Sequence, residues 1–321
     1  MNMLKKVAVI LFMLTGKLMV RLLTFNQINE LGRILGMAYY LVSPVRKKRM
    51  LSELKNIFPE FSEKDVKKII LMFFQNYVLN KLEVFSYPLL NKDNIQDITE
   101  VEGLRHLDDT LKLGRGAVLI HAHLGNAQML MPALGYRGYK VNQVGFSPQN
   151  IVEGVCAITG RRQIPFTFNY WMYVQEKCEQ SLPANFIYLR KDSLREAYNS
   201  LKKNEIIAIS VDGVPGGKYI WDFLGKKTNH FMDGPVRIAL KSGASLLPIF
   251  VVRHKNGRQR ITIEKPIKIE LLQDMEETIR HNVQKFLHIL EGYVRQYPWL
   301  YAKFFGYHKE KQFFISGEDN S

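Results

Sequence analysis

The chain has 321 residues, 46% hydrophobic and 12% aromatic, enough for one large core or two modest ones and too apolar for a disordered chain. Its 45 Lys and Arg exceed its 30 Asp and Glu, a formal charge of +15 that favours a polyanionic partner: a phospholipid surface, a phosphorylated cofactor, an acidic carrier protein or nucleic acid. Cys156 and Cys178 lack metal-ligand spacing, which argues against a disulfide scaffold or a metal site and for a reducing, cytosol-facing environment.

At the N-terminus, "MLKKVAVILFMLTGKLMVRLLTF" carries an apolar run over 7–14 that Lys17 and Arg21 interrupt. A spanning helix needs about 20 apolar residues, and a Lys or Arg at its centre costs roughly 2.5–3.5 kcal/mol. No small-residue cleavage site follows. The reading is an interfacial helix with basic residues in the headgroups. A tilted single span and an ordinary core helix are the alternatives.

The stretch "INELGRILGMAYYLV" has helical spacing over 28–42 and stops at Ser43-Pro44. The following "VRKKRM" is a solvated helix start or a headgroup contact. Ser62, with Asp65 three residues on, opens a helix whose stripe of Val66, Ile69, Ile70, Phe73, Phe74 and Tyr77 faces a core.

Beyond residue 100, "GAVLIHAH", "YKVNQVGF", "NFIYLR", "IIAISVDG", "SLLPIFVVR" and "RITIEKPI" read as strands. Helical patterns, including "DSLREAYNSLKK", "GPVRIALKSG" and a last helix over 275–295, lie among them. The expected fold class is α/β: a mixed, largely parallel central sheet flanked by helices, behind an N-terminal helical membrane-associating portion. The boundaries read as 1–45 for that portion, 46–310 for the α/β domain, and 311–321 for a polar, disordered tail.

Two clusters carry chemistry. "GAVLIHAHLGN" places His123 where a strand stops, with Gly125 allowing a sharp turn, and ligands of open α/β sheets sit beyond such carboxyl ends. A neutral imidazole there is suited to taking a proton from a hydroxyl. His121 either helps bind an anion or is a buried hydrogen bonder, and Asn126 shapes the turn or caps the helix. In the second cluster Asp212 closes another strand, and Gly213, Gly216 and Gly217 make a permissive loop that can present N–H groups to an anion. Lys218, Lys226 and Lys227 add positive charge nearby, and Arg190 and Arg253 follow strands where they could meet phosphates. No Walker pattern, helix-turn-helix, finger or RNA-binding signature occurs, so nucleotide hydrolysis and nucleic-acid binding have only charge behind them.

Taken in order, His-Leu-Gly-Asn after a strand, a strand ending at Asp212, Phe-x-Gly at Phe223 and Gly225, and "GPVRIALKSGASLLPIFVVR" resemble the bacterial lysophospholipid acyltransferase superfamily. The narrower resemblance is to its lipid A late acyltransferase branch, which includes phosphatidylinositol mannoside acyltransferases. It is carried also by "MAYYLVSPVRKKRMLSELKNIFPEFSEKDVKKII", "VEGLRHLDDTLKLGRGAVLIHAHLGN" and "VRQYPWLY", in collinear order over roughly 30–305.

The resemblance implies acyl transfer from acyl-carrier protein or acyl-CoA to a hydroxyl of a membrane lipid or glycolipid. No cofactor beyond that substrate is expected, and the place implied is the cytoplasmic face of a bacterial inner membrane, peripheral or with one N-terminal span. By motif position His123 is the general base, and the carboxylate that orients it falls at position 128, where this chain has Gln. Three readings stay open: Gln128 orients the ring as a neutral partner, another carboxylate such as Asp212 takes over, or the chain is a catalytically silent lipid- or carrier-binding homologue. Asp212 resembles the acid of the family's second motif, and Trp299 packs in its C-terminal segment.

Overall fold

Thr24 starts the first fully described helix. Its hydroxyl accepts from the Gln27 backbone N–H, and the Gln27 side chain accepts from the Thr24 N–H at 2.8 Å. This reciprocal cap satisfies two of the donors that a helix start leaves unpaired. The computed structural model describes residues 7, 11, 15–16, 18–159, 166–212, 218–305 and 313–315.

Helix α1 (Phe25–Leu41) lies along α3 (Glu63–Ser86), with α2 (Pro44–Ile57) between them in sequence. The approach of α1 to α3 depends on Gly36, where a Cβ would stand 2.4 Å from the Gln75 Cα. Pro44 at the first position of α2 breaks the preceding helix, as the Ser43-Pro44 pair predicts. Ser62 caps α3 by accepting from the Asp65 N–H at 3.2 Å. Val66, Ile69, Ile70, Phe73 and Phe74 are buried as their spacing predicts, while Tyr77 at the end of that stripe stays exposed.

The central sheet contains β1 (Thr99–Glu102), β2 (Ala117–His121), β3 (Val141–Gly145), β4 (Asn185–Tyr188), β5 (Ile206–Ser210), β8 (Ser245–Arg253) and β9 (Gln259–Ile263). Their spatial order is β1-β9-β8-β2-β5-β3-β4. All neighbours run parallel except β8 and β9, so the sheet is mixed and largely parallel. A hairpin of β6 (Trp221–Phe223) and β7 (Lys226–Thr228) stands apart.

All five residues of β2 are buried, as expected for a central parallel strand covered on both faces. Its side chains alternate between two apolar layers. Val118 and Ile120 join the layer of α9 (Gly234–Ser242) and α10 (Met275–Gln296). Ala117 and Leu119 join that of the C-terminal half of α3, α5 (Leu130–Gly135) and α7 (Phe166–Glu179). The other helices used below are α4 (Leu104–Leu111), α6 (Pro148–Thr159) and α8 (Ser193–Lys202).

The C-terminus departs from the expectation of a disordered tail at three residues. Phe313 is buried against Phe223 and Phe231, its carbonyl accepts from the Thr228 hydroxyl at 2.5 Å, and Ile315 N–H donates to the Lys227 carbonyl. The aromatic pair "FF" supplies the apolar area that anchors this segment, which a composition-based reading of a polar tail overlooks. Among the described residues, no helix is long and apolar enough to cross a membrane. Much of the 7–14 run lies outside them.

Candidate active site

Parallel pairing of β2 with β5 sets His121 opposite Ser210. Carrying that register two residues past the strand ends brings position 123 beside position 212, at the carboxyl edge of the central strand. Asp212 there accepts the His123 backbone N–H at 2.9 Å through Oδ2, and its Oδ1 lies 2.6 Å from the His123 Nδ1. The carboxylate is therefore anchored by main chain as well as by the ring. The His123 side chain is 47% exposed and that of Asp212 is 0% exposed, so a sealed carboxylate holds an open imidazole.

Burial alone would raise the Asp212 carboxyl, but the His123 charge and hydrogen bonds and the Lys303 ammonium outweigh it and hold it well below the usual carboxylate range. Asp212 is consequently held ionised near neutral pH.

The turn after His123 is built to one geometry. Gly125 has φ +63°, and a Cβ there would sit 2.2 Å from the Val251 carbonyl oxygen. The C-terminal segment "PWLYAKF" closes over the same turn: Gly125 N–H donates to Leu300 O, Ala302 N–H donates to His123 O, and Leu124 bridges Tyr301. That segment also buries the Tyr301 phenol, kept protonated first by desolvation and then by the Asp212 charge. Burial pushes the Lys303 ammonium down while Asp212 opposes the shift. Sequence reading missed Tyr301 and Lys303; the signal was a second aromatic and a cation just after Trp299. Gly125→Ala is expected to destabilise by about 2–4 kcal/mol, from the left-handed backbone plus the clash with main chain, read as a lower urea midpoint. An unchanged midpoint would refute this account of the turn.

Several sequence expectations need correction. Gln128 does not bond His123. It falls in the short turn Ala127–Met129, where its Oε1 accepts from the Tyr87 hydroxyl at 3.1 Å and its Nε2 donates to Glu179 of α7. His121 is not presented to a ligand: it is buried, Gln143 lies 3.3 Å from its Nε2, and desolvation, then the His123 charge, lowers its pKa to about 4. It is thus neutral near pH 7 and cannot offer charge to an anion.

Asn126 occupies the position before the turn but makes no side-chain cap. Its amide instead donates to Glu83 at 2.7 Å and to the Tyr87 oxygen. Arg253 is no phosphate ligand. It is buried, with its guanidinium on both Glu83 oxygens and on Asn76 and Asn80.

The exposed Arg190 pairs with Glu196 of α8, and the exposed Lys218 with Glu276 of α10; neither bonds His123 or Asp212. Lys226 reaches Asn56 and Lys227 pairs with Asp222, so the hairpin cations are turned to the surface. Gly213, Gly216 and Gly217 lie outside the described residues. Of the predicted set, the fold brings together His123, Gly125 and Asp212.

Beyond the end of β3, α6 and α7 enclose an open groove of about 260 Å³ lined by Pro148, Val152, Met172, Tyr173 and Glu176 among others. The groove is shallow, and Gln149 and Asn169 complete its lining.

Among known proteins, the chain is 24% identical over 288 residues to a lipid A biosynthesis lauroyltransferase of Escherichia coli (strain K12), covering 88% of this chain and 86% of that one. Among solved structures, the 1-acyl-sn-glycerophosphate (LPA) acyltransferase PlsC from Thermotoga maritima matches at 15% identity and a TM-score of 0.35, over 82% of this chain and 96% of that chain. The family model for bacterial lipid A biosynthesis acyltransferases matches residues 2–305, and the chain belongs to that family.

Proposed function

We propose that the chain is a membrane-associated acyltransferase that moves a fatty acyl group from a thioester, acyl-carrier protein or acyl-CoA, to a hydroxyl of a lipid or glycolipid. The observation that carries this reading is the His123 imidazole held through Nδ1 by the sealed Asp212 carboxylate, which leaves Nε2 for an incoming alcohol. Family membership supports acyl transfer to a lipid.

In this reading Nε2 takes the hydroxyl proton as the alcohol oxygen bonds to the thioester carbonyl carbon. The C–S bond then breaks, and the imidazolium returns the proton to the departing sulfur. The products are an ester and a free thiol. Asp212 stays ionised throughout, fixing the ring's tautomer and facing the transient imidazolium. The silent-homologue reading rests on the missing charge at Gln128; the Asp212 carboxylate on Nδ1 supports the active reading instead.

Residues 1–45 would contact the membrane in front of the 46–310 unit. Leu18, Leu22, Ile34, Leu41 and Val42 are exposed, and Val45 is 80% exposed beside Arg46, Lys47 and Lys48. Apolar side chains bordered by cations suit an anionic bilayer surface. This reading seats the chain on the cytoplasmic face of the inner membrane, peripherally or through one N-terminal span, where both thioester donors are available.

The test is incubation with an acyl thioester with and without a bacterial lipid extract. Thiol release is expected to depend on the lipid, with one acyl ester gained per acceptor. Release that ignores the lipid and yields free fatty acid would make the chain a thioesterase, and no release would restore the silent homologue.

A further inference from the structure

Gln128 makes its side-chain hydrogen bonds to Tyr87 and to Glu179 of α7 rather than to His123. Gln128 Nε2 donates to the Glu179 carboxylate, which also accepts from Gln175 at 2.6 Å, and Gln128 Oε1 accepts from Tyr87. The same helix lines the groove with Met172, Tyr173 and Glu176, one to two turns before Glu179. One side chain therefore ties the turn after His123 to the helix that borders this groove.

We infer that Gln128 is a positioning residue that latches the catalytic turn to α7 through Glu179, and that the Gln at 128 and the carboxylate at 179 form a matched pair. A carboxylate at 128, the residue type that the sequence resemblance calls for, would face Glu179 rather than His123. Unlike an ionised carboxylate of the same length, the amide can both donate to Glu179 and accept from Tyr87. This inference rests on the acyltransferase reading for its kinetic readout only.

The exchange Gln128→Glu would put two carboxylates within hydrogen-bond reach. They could coexist only by sharing a proton, which raises the pair's folded-state pKa. A folded pKa above the unfolded value gives stability that is present at low pH and lost as pH rises through it. The other charged or titratable groups facing Glu179 are Lys81 from α3, Tyr87 after α3, Glu176 on α7 and Tyr188 on β4. Lys81 is lowered to about 8 by burial, against the pull of Glu179, so its neutralising charge also fades at alkaline pH. Both effects make the variant's defect an alkaline one.

The experiment compares wild type, Gln128→Glu, Glu179→Gln and the double exchange at pH 5.5 and 8.5, by thermal melting and by kcat and KM for an acyl thioester. At pH 8.5, Gln128→Glu is expected to melt about 5 °C below wild type and to raise KM about tenfold. At pH 5.5 both differences shrink, and the double exchange recovers most of the melting point and the KM. A gain in kcat for Gln128→Glu would overturn the inference, because it would place residue 128 on His123. So would wild-type melting and KM at both pH values, or a folded double exchange as impaired as the single variant. If no protein, wild type included, turns over a thioester, the acyltransferase reading fails while the melting cycle still decides the latch.

Discussion

Replacing Asp212 by Asn is expected to lower acyl transfer by about a hundred- to a thousandfold while the protein stays folded. The reason is tautomeric as much as electrostatic. The amide oxygen would take the place of Oδ2, which accepts the His123 backbone N–H at 2.9 Å, and so turn the amide N–H₂ toward the ring nitrogen that Oδ1 meets at 2.6 Å. A donor facing Nδ1 favours the tautomer with its proton on Nε2, which cannot take one from an alcohol. The imidazolium formed in the reaction also loses its buried counter-charge, which adds to the barrier. The check is a kcat/KM–pH profile of the folded variant. Turnover within about threefold of wild type would contradict the role given to Asp212.

The other large effect lies away from the chemistry. Arg253→Met is expected to destabilise by about 3–5 kcal/mol, because Glu83 would be left buried without its cation. Glu83 also accepts from Asn126 and Gln259, so the loss reaches the turn after His123 through Asn126. Adding Glu83→Gln is expected to return part of the loss, since an apolar or neutral replacement of both partners is tolerated better than an orphaned charge. Urea unfolding midpoints of the single and double variants measure this. A single variant as stable as wild type would show that the pair is dispensable.

The parts of this molecule that local chemistry dictates were readable in the sequence. Ser62, Pro44 and the wide apolar face of α3 mark real helix boundaries and a real core face. The unbroken apolar runs of β2 and β8 marked strands, which the structure buries along nearly their whole length. His123 and Asp212 were each legible as strand-end residues, but their partnership joins positions 89 apart and follows from the strand order β2-β5, which no local pattern encodes.

The family resemblance pointed to position 128, with Asp212 as one alternative, and the short turn Ala127–Met129 directs the Gln128 side chain to a helix elsewhere in the chain. Arg253 misled for the same reason: its partner Glu83 lies 170 residues away on α3. The hairpin β6–β7 escaped because three-residue strands are too short to show alternation; the positive φ of Leu224 (54°) and Gly225 (73°) that turns it is invisible in a phrase such as "FLGK". Helix α7 escaped because "FTFNYWMYVQEKCE" spreads aromatics around the helix rather than along one face.

The most direct test of the central claim is mass spectrometry of acceptor lipids after a single turnover with excess enzyme and an acyl thioester, using wild type and His123→Ala. Wild type is expected to leave one new acyl ester on the lipid, and the folded alanine variant none above background. Equal ester yield from both proteins would contradict the assignment of His123 as the base that Asp212 holds in place.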